Sequence, residues 1–296
     1  MRQETVVETR DFSYRYGGQN QYSAVQGLTL EVRRGELYAL LGTNGAGKTT
    51  TLETLEGHRR PTGGSVRVFG GDPTDRRSIR PRMGIMLQES GFAGELTVAE
   101  SLRLAGATSG RHDTVAAVLA DVGLSAKADT RVIQLSGGEK RRLDFASAIW
   151  GTPELLFLDE PTTGLDPEAR DRLWSVVARL RGEGVTVILT THYLEEAQAN
   201  ADRIGIMHKG VLEREGTLAE LVTEEPARIR FSLPAGVDVP QGVTRTENGL
   251  VLVETDDLQT ELTRLLGWAD REGHRLDRLS ATSSNLDDVF RSLAGQ

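Results

Sequence analysis

Eight residues, Gly42-Thr43-Asn44-Gly45-Ala46-Gly47-Lys48-Thr49, constrain this chain more than any other stretch. They fit the pattern G-x-x-x-x-G-K-[ST] in the setting that gives the pattern meaning. The apolar run Leu37-Tyr38-Ala39-Leu40-Leu41 before them suits a strand buried on both faces. Lys48 to Leu55 after them reads as a helix, with Gly57 placed to end it. A strand, a glycine-rich turn and a helix N-terminus make a phosphate cradle, because backbone N–H groups and the helix dipole face the same anion. Lys48 is expected to reach the β- and γ-phosphates, and the Thr49 hydroxyl to ligate Mg²⁺.

Size and charge narrow the class. The 296 residues suffice for one large or two modest domains. A net charge of -8 argues against a general nucleic-acid surface, so no nucleic-acid partner is expected. Clusters such as Arg59-Arg60 and Lys140-Arg141-Arg142 read as solvated faces. The absence of cysteine excludes disulfides and thiol chemistry. Met1 to Thr5 is polar and acidic and does not read as a signal peptide. The longest strictly apolar run, Val115 to Ala120, is far below the roughly 18–20 residues of a membrane helix. If the protein works at a membrane, another chain must cross it.

Before the cradle, Thr5–Thr9 and Leu28–Val32 read as short strands around a turn rich in Gly, Asn and Gln. After it, Ser65–Phe69 and Met83–Leu87 read as strands, the second delivering Gln88 at its C-terminal end. That edge of an α/β sheet is where ligands sit, and the amide oxygen of Gln88 can meet Mg²⁺ or its water. From Glu95 to Trp150 the period becomes helical. Inside it, Ser136 and Glu139 match a capping box ahead of a helix expected from Lys140 to Trp150. Gly137 and Gly138 each cost roughly 1 kcal/mol there relative to Ala, which makes sense if an anion must approach the backbone.

Leu155–Leu158 form an apolar strand that ends in Asp159-Glu160. Adjacent strand residues point to opposite faces, which predicts separate duties: Asp159 for the metal shell, Glu160 for the attacking water. The buried-type strand Val185–Leu189 presents His192 at the same edge, a candidate γ-phosphate contact. Beyond the paired strands at 204–214, composition shifts around Pro226, Pro234 and Pro240. The remaining stretch reads as a small α+β appendage without a catalytic constellation.

Taken in order, the phosphate loop, Gln88, Leu135-Ser136-Gly137-Gly138-Glu139, Asp159-Glu160, Gly164-Leu165-Asp166 and His192 resemble the motif set of ATP-binding-cassette (ABC) nucleotide-binding subunits over residues 4 to about 216. The family usually carries Gln where Glu139 stands. Arg15-Tyr16-Gly17, Leu87-Gln88-Glu89 and Asn285-Leu286-Asp287-Asp288-Val289-Phe290 add a likeness to ATPases of daunorubicin-resistance-type drug exporters. The resemblance implies an α/β P-loop NTPase fold: a RecA-like core, an antiparallel β-subdomain and a helical subdomain at about 90–150. It places the nucleotide-binding domain at 1–220 and an α+β accessory domain at 221–296.

It implies ATP and Mg²⁺ as ligands. Tyr16 stacks on adenine with Val25 beside it, and Gly42, Asn44, Gly45, Gly47, Lys48, Thr49 and Thr50 wrap the phosphates. Thr49, Gln88 and Asp159 hold the metal, and Glu160, His192, Lys48 and Gln88 serve hydrolysis. Ser136, Gly137, Gly138 and Glu139 reach the nucleotide of a second copy, and Asp166 counts among the nucleotide-binding residues. The implied setting is the cytoplasmic side of a bacterial membrane, beside a separate permease that exports a drug or other hydrophobic small molecule. A soluble ABC ATPase of repair, translation or assembly is the alternative. A GTPase is disfavoured by the lack of an Asn-Lys-x-Asp motif.

Overall fold

The computed structural model describes residues 4–17, 22–88, 91–223, 225–233, 237, 239–240, 243–245 and 250–294. Expectations that touch Met1–Gln3, the turn residues 18–21, Glu89 and Pro234 lie outside them. The chain divides into two units, Met1–Glu215 and Gly216–Gln296.

The first unit opens with two long antiparallel strands, β1 (Thr5–Tyr16) and β2 (Tyr22–Arg33). Both outrun the short strands read from the sequence. Register shifts between Thr9 and Phe12 and again near Tyr14, with Asp11 at φ 48°, break the period-two alternation on which such a reading depends. Next come β3 (Leu37–Gly42), buried throughout, α1 (Lys48–Leu55) and β4 (Gly63–Val68), which pairs with β1. The short α2 (Arg76–Ile79) leads into β5 (Met83–Met86). A helical stretch follows, α3 (Val98–Ser109), α4 (Val115–Asp121) and α5 (Gly137–Ile149). The chain then alternates through β6 (Leu155–Asp159), α6 (Pro167–Gly182), β7 (Thr186–Thr190), α7 (Leu194–Asn200), β8 (Arg203–His208) and β9 (Val211–Gly216).

Six of these strands form one sheet in the order β5-β6-β7-β3-β8-β9, and the first five run parallel. Parallel strands share one C-terminal edge. Gly42, Asp159 and Thr190 therefore end up side by side, with Gln88 just beyond β5. The apolar runs that made these strands legible fill the core: Leu40, Phe157 and Ile188 pack with Phe12, Val25 and Leu52. Burial on both faces holds the edge rigid, and rigidity there is what a phosphate site needs.

The second unit comprises α8 (Leu218–Thr223), β10 (Ala227–Ser232), β11 (Thr244–Arg245), β12 (Leu250–Thr255), α9 (Leu258–Arg271), β13 (Asp277–Thr282) and α10 (Leu286–Ala294). Its antiparallel sheet runs β11-β12-β10-β13, and Ile229, Phe231, Val251 and Val253 pack with Leu265 of α9. In the Asn285–Phe290 stretch, Asn285 and Asp288 exchange backbone-to-side-chain hydrogen bonds at the start of α10, and Arg228 pairs with Asp288. That motif is a helix start locked to a strand.

Candidate functional site

Between β3 and α1 the chain passes too close to its neighbours for any side chain. A Cβ on Gly47, whose φ is +103°, would lie 2.3 Å from the Ala24 carbonyl oxygen; one on Gly42 would lie 2.4 Å from that of Met207. The loop is thus moulded against β2 and β8, with the N-terminus of α1 at its mouth. Lys48, nearly buried, donates from Nζ to the Gly42 oxygen at 2.7 Å and the Thr43 oxygen at 3.3 Å. Burial lowers its pKa, while the carboxylates of Glu160 and Asp159 pull it back up.

Asn44, Gly45, Gly47, Lys48, Thr49, Thr50, Gln88, Asp159 and Glu160 line one cavity of about 380 Å³, together with Tyr22, Ala24 and Ala46. The separation of duties inferred from strand alternation rests on a premise the backbone does not meet. The strand ends at Asp159, and Glu160 turns into the left-handed region at φ 48°, so both carboxylates face the same cavity. Their surroundings still differ. Asp159 Oδ1 accepts a short hydrogen bond from the Thr190 hydroxyl, and burial pushes the Asp159 pKa up against that bond. Glu160 Oε2 lies 3.2 Å from His192 Nδ1, which joins His192 to the site through Glu160.

The donor set fits a hard divalent cation. Thr49, Gln88 and Asp159 all line this cavity and offer a hydroxyl, an amide oxygen and a carboxylate, the oxygen donors Mg²⁺ prefers. Among the described residues no three His, Asp or Glu side chains cluster as a self-sufficient metal site. Such an ion needs the nucleotide and water for its remaining ligands.

The two expected base contacts sit differently about this cavity. Val25 is wholly buried in the core and presents no surface; its neighbour Ala24 lines the cavity instead. Tyr16 does not line it either. Its hydroxyl meets Thr50 Oγ1 at 3.1 Å, and its ring packs edge-on to Tyr14 at 5.0 Å beneath the Arg59 guanidinium. The aromatic at the cavity is Tyr22, the register partner of Tyr16, half exposed and donating to the Gly45 carbonyl at 3.0 Å.

None of Ser136, Gly137, Gly138, Glu139 and Asp166 lines the cavity of its own chain. The capping box is present: Ser136 Oγ accepts from the Glu139 N–H at 3.2 Å, and Glu139 Oε2 from the Ser136 N–H at 2.8 Å. The helix starts at Gly137, three residues before the expected Lys140. Its two glycines have different reasons. A Cβ on Gly138 would sit 3.2 Å from the Gly164 oxygen, an internal constraint, whereas one on Gly137 meets nothing within 4 Å. Asp166 caps α6 by accepting from the Ala169 N–H at 2.8 Å.

Sequence reasoning missed Arg141. It is no solvated residue: it is 7% exposed, and its guanidinium donates to the carbonyls of Leu87 (2.5 Å), Gln88 (3.0 Å), Asp159 and Glu160 (2.8 Å). One side chain from α5 thus ties the ends of β5 and β6 together behind the cavity. The available signal was its spacing, since Arg141, Phe145 and Ala148 share the buried face of α5. Arg141→Ala leaves these carbonyls without that donor and is expected to cost about 2–4 kcal/mol of stability in urea unfolding. Arg141→Lys should fall between; a midpoint unchanged in both variants contradicts the bracing role.

Comparison with known proteins agrees with this geometry. Residues 25–163 match the family described as "ABC transporter", and residues 227–284 the "ABC transporter domain-containing protein-like, C-terminal domain". The chain is 38% identical to the daunorubicin/doxorubicin resistance ATP-binding protein DrrA of Streptomyces peucetius, over 98% of this chain and 92% of that protein. It is 41% identical to the Nod factor export ATP-binding protein I of Burkholderia pseudomallei strain K96243, over 92% of each. Among solved structures, an ATP-binding subunit of an ABC transporter aligns with a TM-score of 0.69 at 29% identity, covering 74% of this chain and 92% of that one. The ATP-binding cassette MJ0796, in a dimeric post-hydrolysis state bound to ADP and Pi, aligns at 0.67 and 25%, covering 72% and 98%. These relatives leave no support for the non-transport alternative. The phosphate loop, the two carboxylates at the edge of the parallel sheet and the matches along nearly the whole chain lead to one conclusion: this protein belongs to the ABC transporter family and is an ATP-binding, ATP-hydrolysing subunit of a transporter.

Proposed function

We propose that this ATPase works as a head-to-tail pair of identical chains, each nucleotide held between the phosphate loop of one copy and residues Ser136–Gly138 of the other. One observation carries the reading: Lys48, Thr49, Gln88, Asp159 and Glu160 converge on one cavity, while the space beside Gly137 is open and fits no partner within its own chain. The loop N–H groups and Lys48 bind the phosphates, and Tyr22 covers the base or ribose with Tyr16 behind it. Glu160, oriented by His192, takes a proton from the attacking water. Mg²⁺, held by Thr49, Asp159 and Gln88, supplies charge neutralisation when bound. Asp166 joins the contact between copies. Phosphoryl transfer is mostly positioning and electrostatics, so a second subunit that completes the donor set can govern the rate.

The nucleotide-binding domain corresponds to the first unit, Met1–Glu215, and the accessory domain to the second, Gly216–Gln296, so the boundary falls ahead of α8 rather than at the 220/221 read from the sequence. Among the described residues no helix is long and apolar enough to cross a membrane. The reading places the subunit on the cytoplasmic face of a separate permease, and the names of its relatives, resistance and export ATP-binding proteins, favour export of a drug or other hydrophobic small molecule. Opening and closing of the pair as ATP binds and is cleaved is the motion such a permease would feel. Hydrolysis by the purified chain is expected to rise more steeply than linearly with protein concentration and to stop when Mg²⁺ is chelated. A strictly linear rate contradicts the pair. Co-purification from membranes tests the permease, and recovery without any membrane protein counts against it.

A further inference from the structure

We propose that Lys127 is a positioning residue that neutralises Glu139, so that the start of α5 can close on a triphosphate. The inference rests on the head-to-tail reading above. A helix start attracts anions through its free N–H groups, yet this one carries a carboxylate of its own. Glu139 is folded back on that start, Oε2 accepting from the Ser136 N–H at 2.8 Å, so its charge lies beside the groups meant for the γ-phosphate. A Gln there could make the same cap without the charge. Lys127 ends a single 3₁₀ turn, Ser125–Lys127, and its Nζ lies 3.2 Å from Glu139 Oε1. Two oxygens of one carboxylate thus have two separate partners, one a cap and one a cation.

As a contribution to stability the pair is worth little, because Lys127 is 45% exposed and such pairs are screened. Its effect belongs to the assembled site. When the γ-phosphate arrives, an unpaired Glu139 repels it, whereas the paired carboxylate presents no net charge. The neighbouring cation Arg142 is otherwise engaged, donating to the Gly123 carbonyl at 3.0 Å.

The test is a double-mutant cycle on ATP hydrolysis by the full chain, using Lys127→Gln and Glu139→Gln. Lys127→Gln in the native background should raise the KM for ATP about five- to tenfold at low salt, and the increase should shrink as salt rises. In the Glu139→Gln background the same substitution should change KM by less than about twofold, because no charge remains to neutralise. A structural role for Lys127 would give the same factor in both backgrounds, and that result overturns the proposal. So does a KM unmoved by Lys127→Gln at low salt. ATP-driven pairing of Glu160→Gln chains separates the two levels. If those chains pair and the factors match, only the Lys127 assignment falls; if they never pair, the sandwich itself falls and takes the assignment with it.

Discussion

Glu160→Gln is expected to bind ATP with at least native affinity while its turnover falls by about 10²-fold or more. The substitution keeps the shape and the contact with His192 but removes the one carboxylate at the cavity that is turned inward by a left-handed backbone. Gln cannot take a proton from water, so the chemical step slows. Removing a negative charge from the cavity proposed to hold the triphosphate is not expected to weaken binding. Single-turnover hydrolysis and a nucleotide-binding titration separate the two effects. Native turnover would assign the base elsewhere. Weakened binding at native turnover would reverse the roles given to loop and carboxylate.

Lys48→Ala is expected to do the opposite, weakening ATP binding about 10- to 100-fold, the worth of a charge-assisted contact to phosphate. Two causes add. The ammonium is lost, and Glu160 and Asp159, which now pull its pKa up, are left facing the nucleotide without a compensating cation. The loop itself should survive, because its path is set by the close approaches of Gly42 and Gly47 to neighbouring carbonyls. Titration with ATP checks this. An unchanged dissociation constant would mean that the phosphates do not lie at Lys48.

How much of this was legible before any coordinates depended on the range of the interactions involved. The cradle was legible because a buried strand, a glycine turn and a helix start follow one another within about twenty residues. The ends of β5, β6 and β7 were legible too, since short apolar runs bounded by polar residues leave little choice. Tyr22 was not, because bulges in β1 hide the register that places it opposite Tyr16. The left-handed turn at Glu160 was not, because such a backbone is uncommon outside glycine and no residue type marked it. Arg141 was missed for a third reason. Its partners lie 54, 53, 18 and 19 residues away, and a helical arginine inside a basic run looks like a solvated one until those strands come together.

The two glycines of α5 show the same limit from another side. Sequence could say only that both are costly in a first turn. The structure separates them, because Gly138 packs against the Gly164 carbonyl and Gly137 faces open space. A Cβ at position 137 therefore meets nothing within 4 Å in its own chain, and under the proposed pairing it is the second copy that a side chain there would meet.

The most direct measurement is the mass in solution, by light scattering with ATP present, of Glu160→Gln and of the same variant carrying Gly137→Leu. The first should have the mass of two chains, and the second should remain one chain while still binding ATP. If Glu160→Gln stays single with ATP bound, or if the added leucine leaves pairing intact, the nucleotide is not closed over by a second copy in the way described.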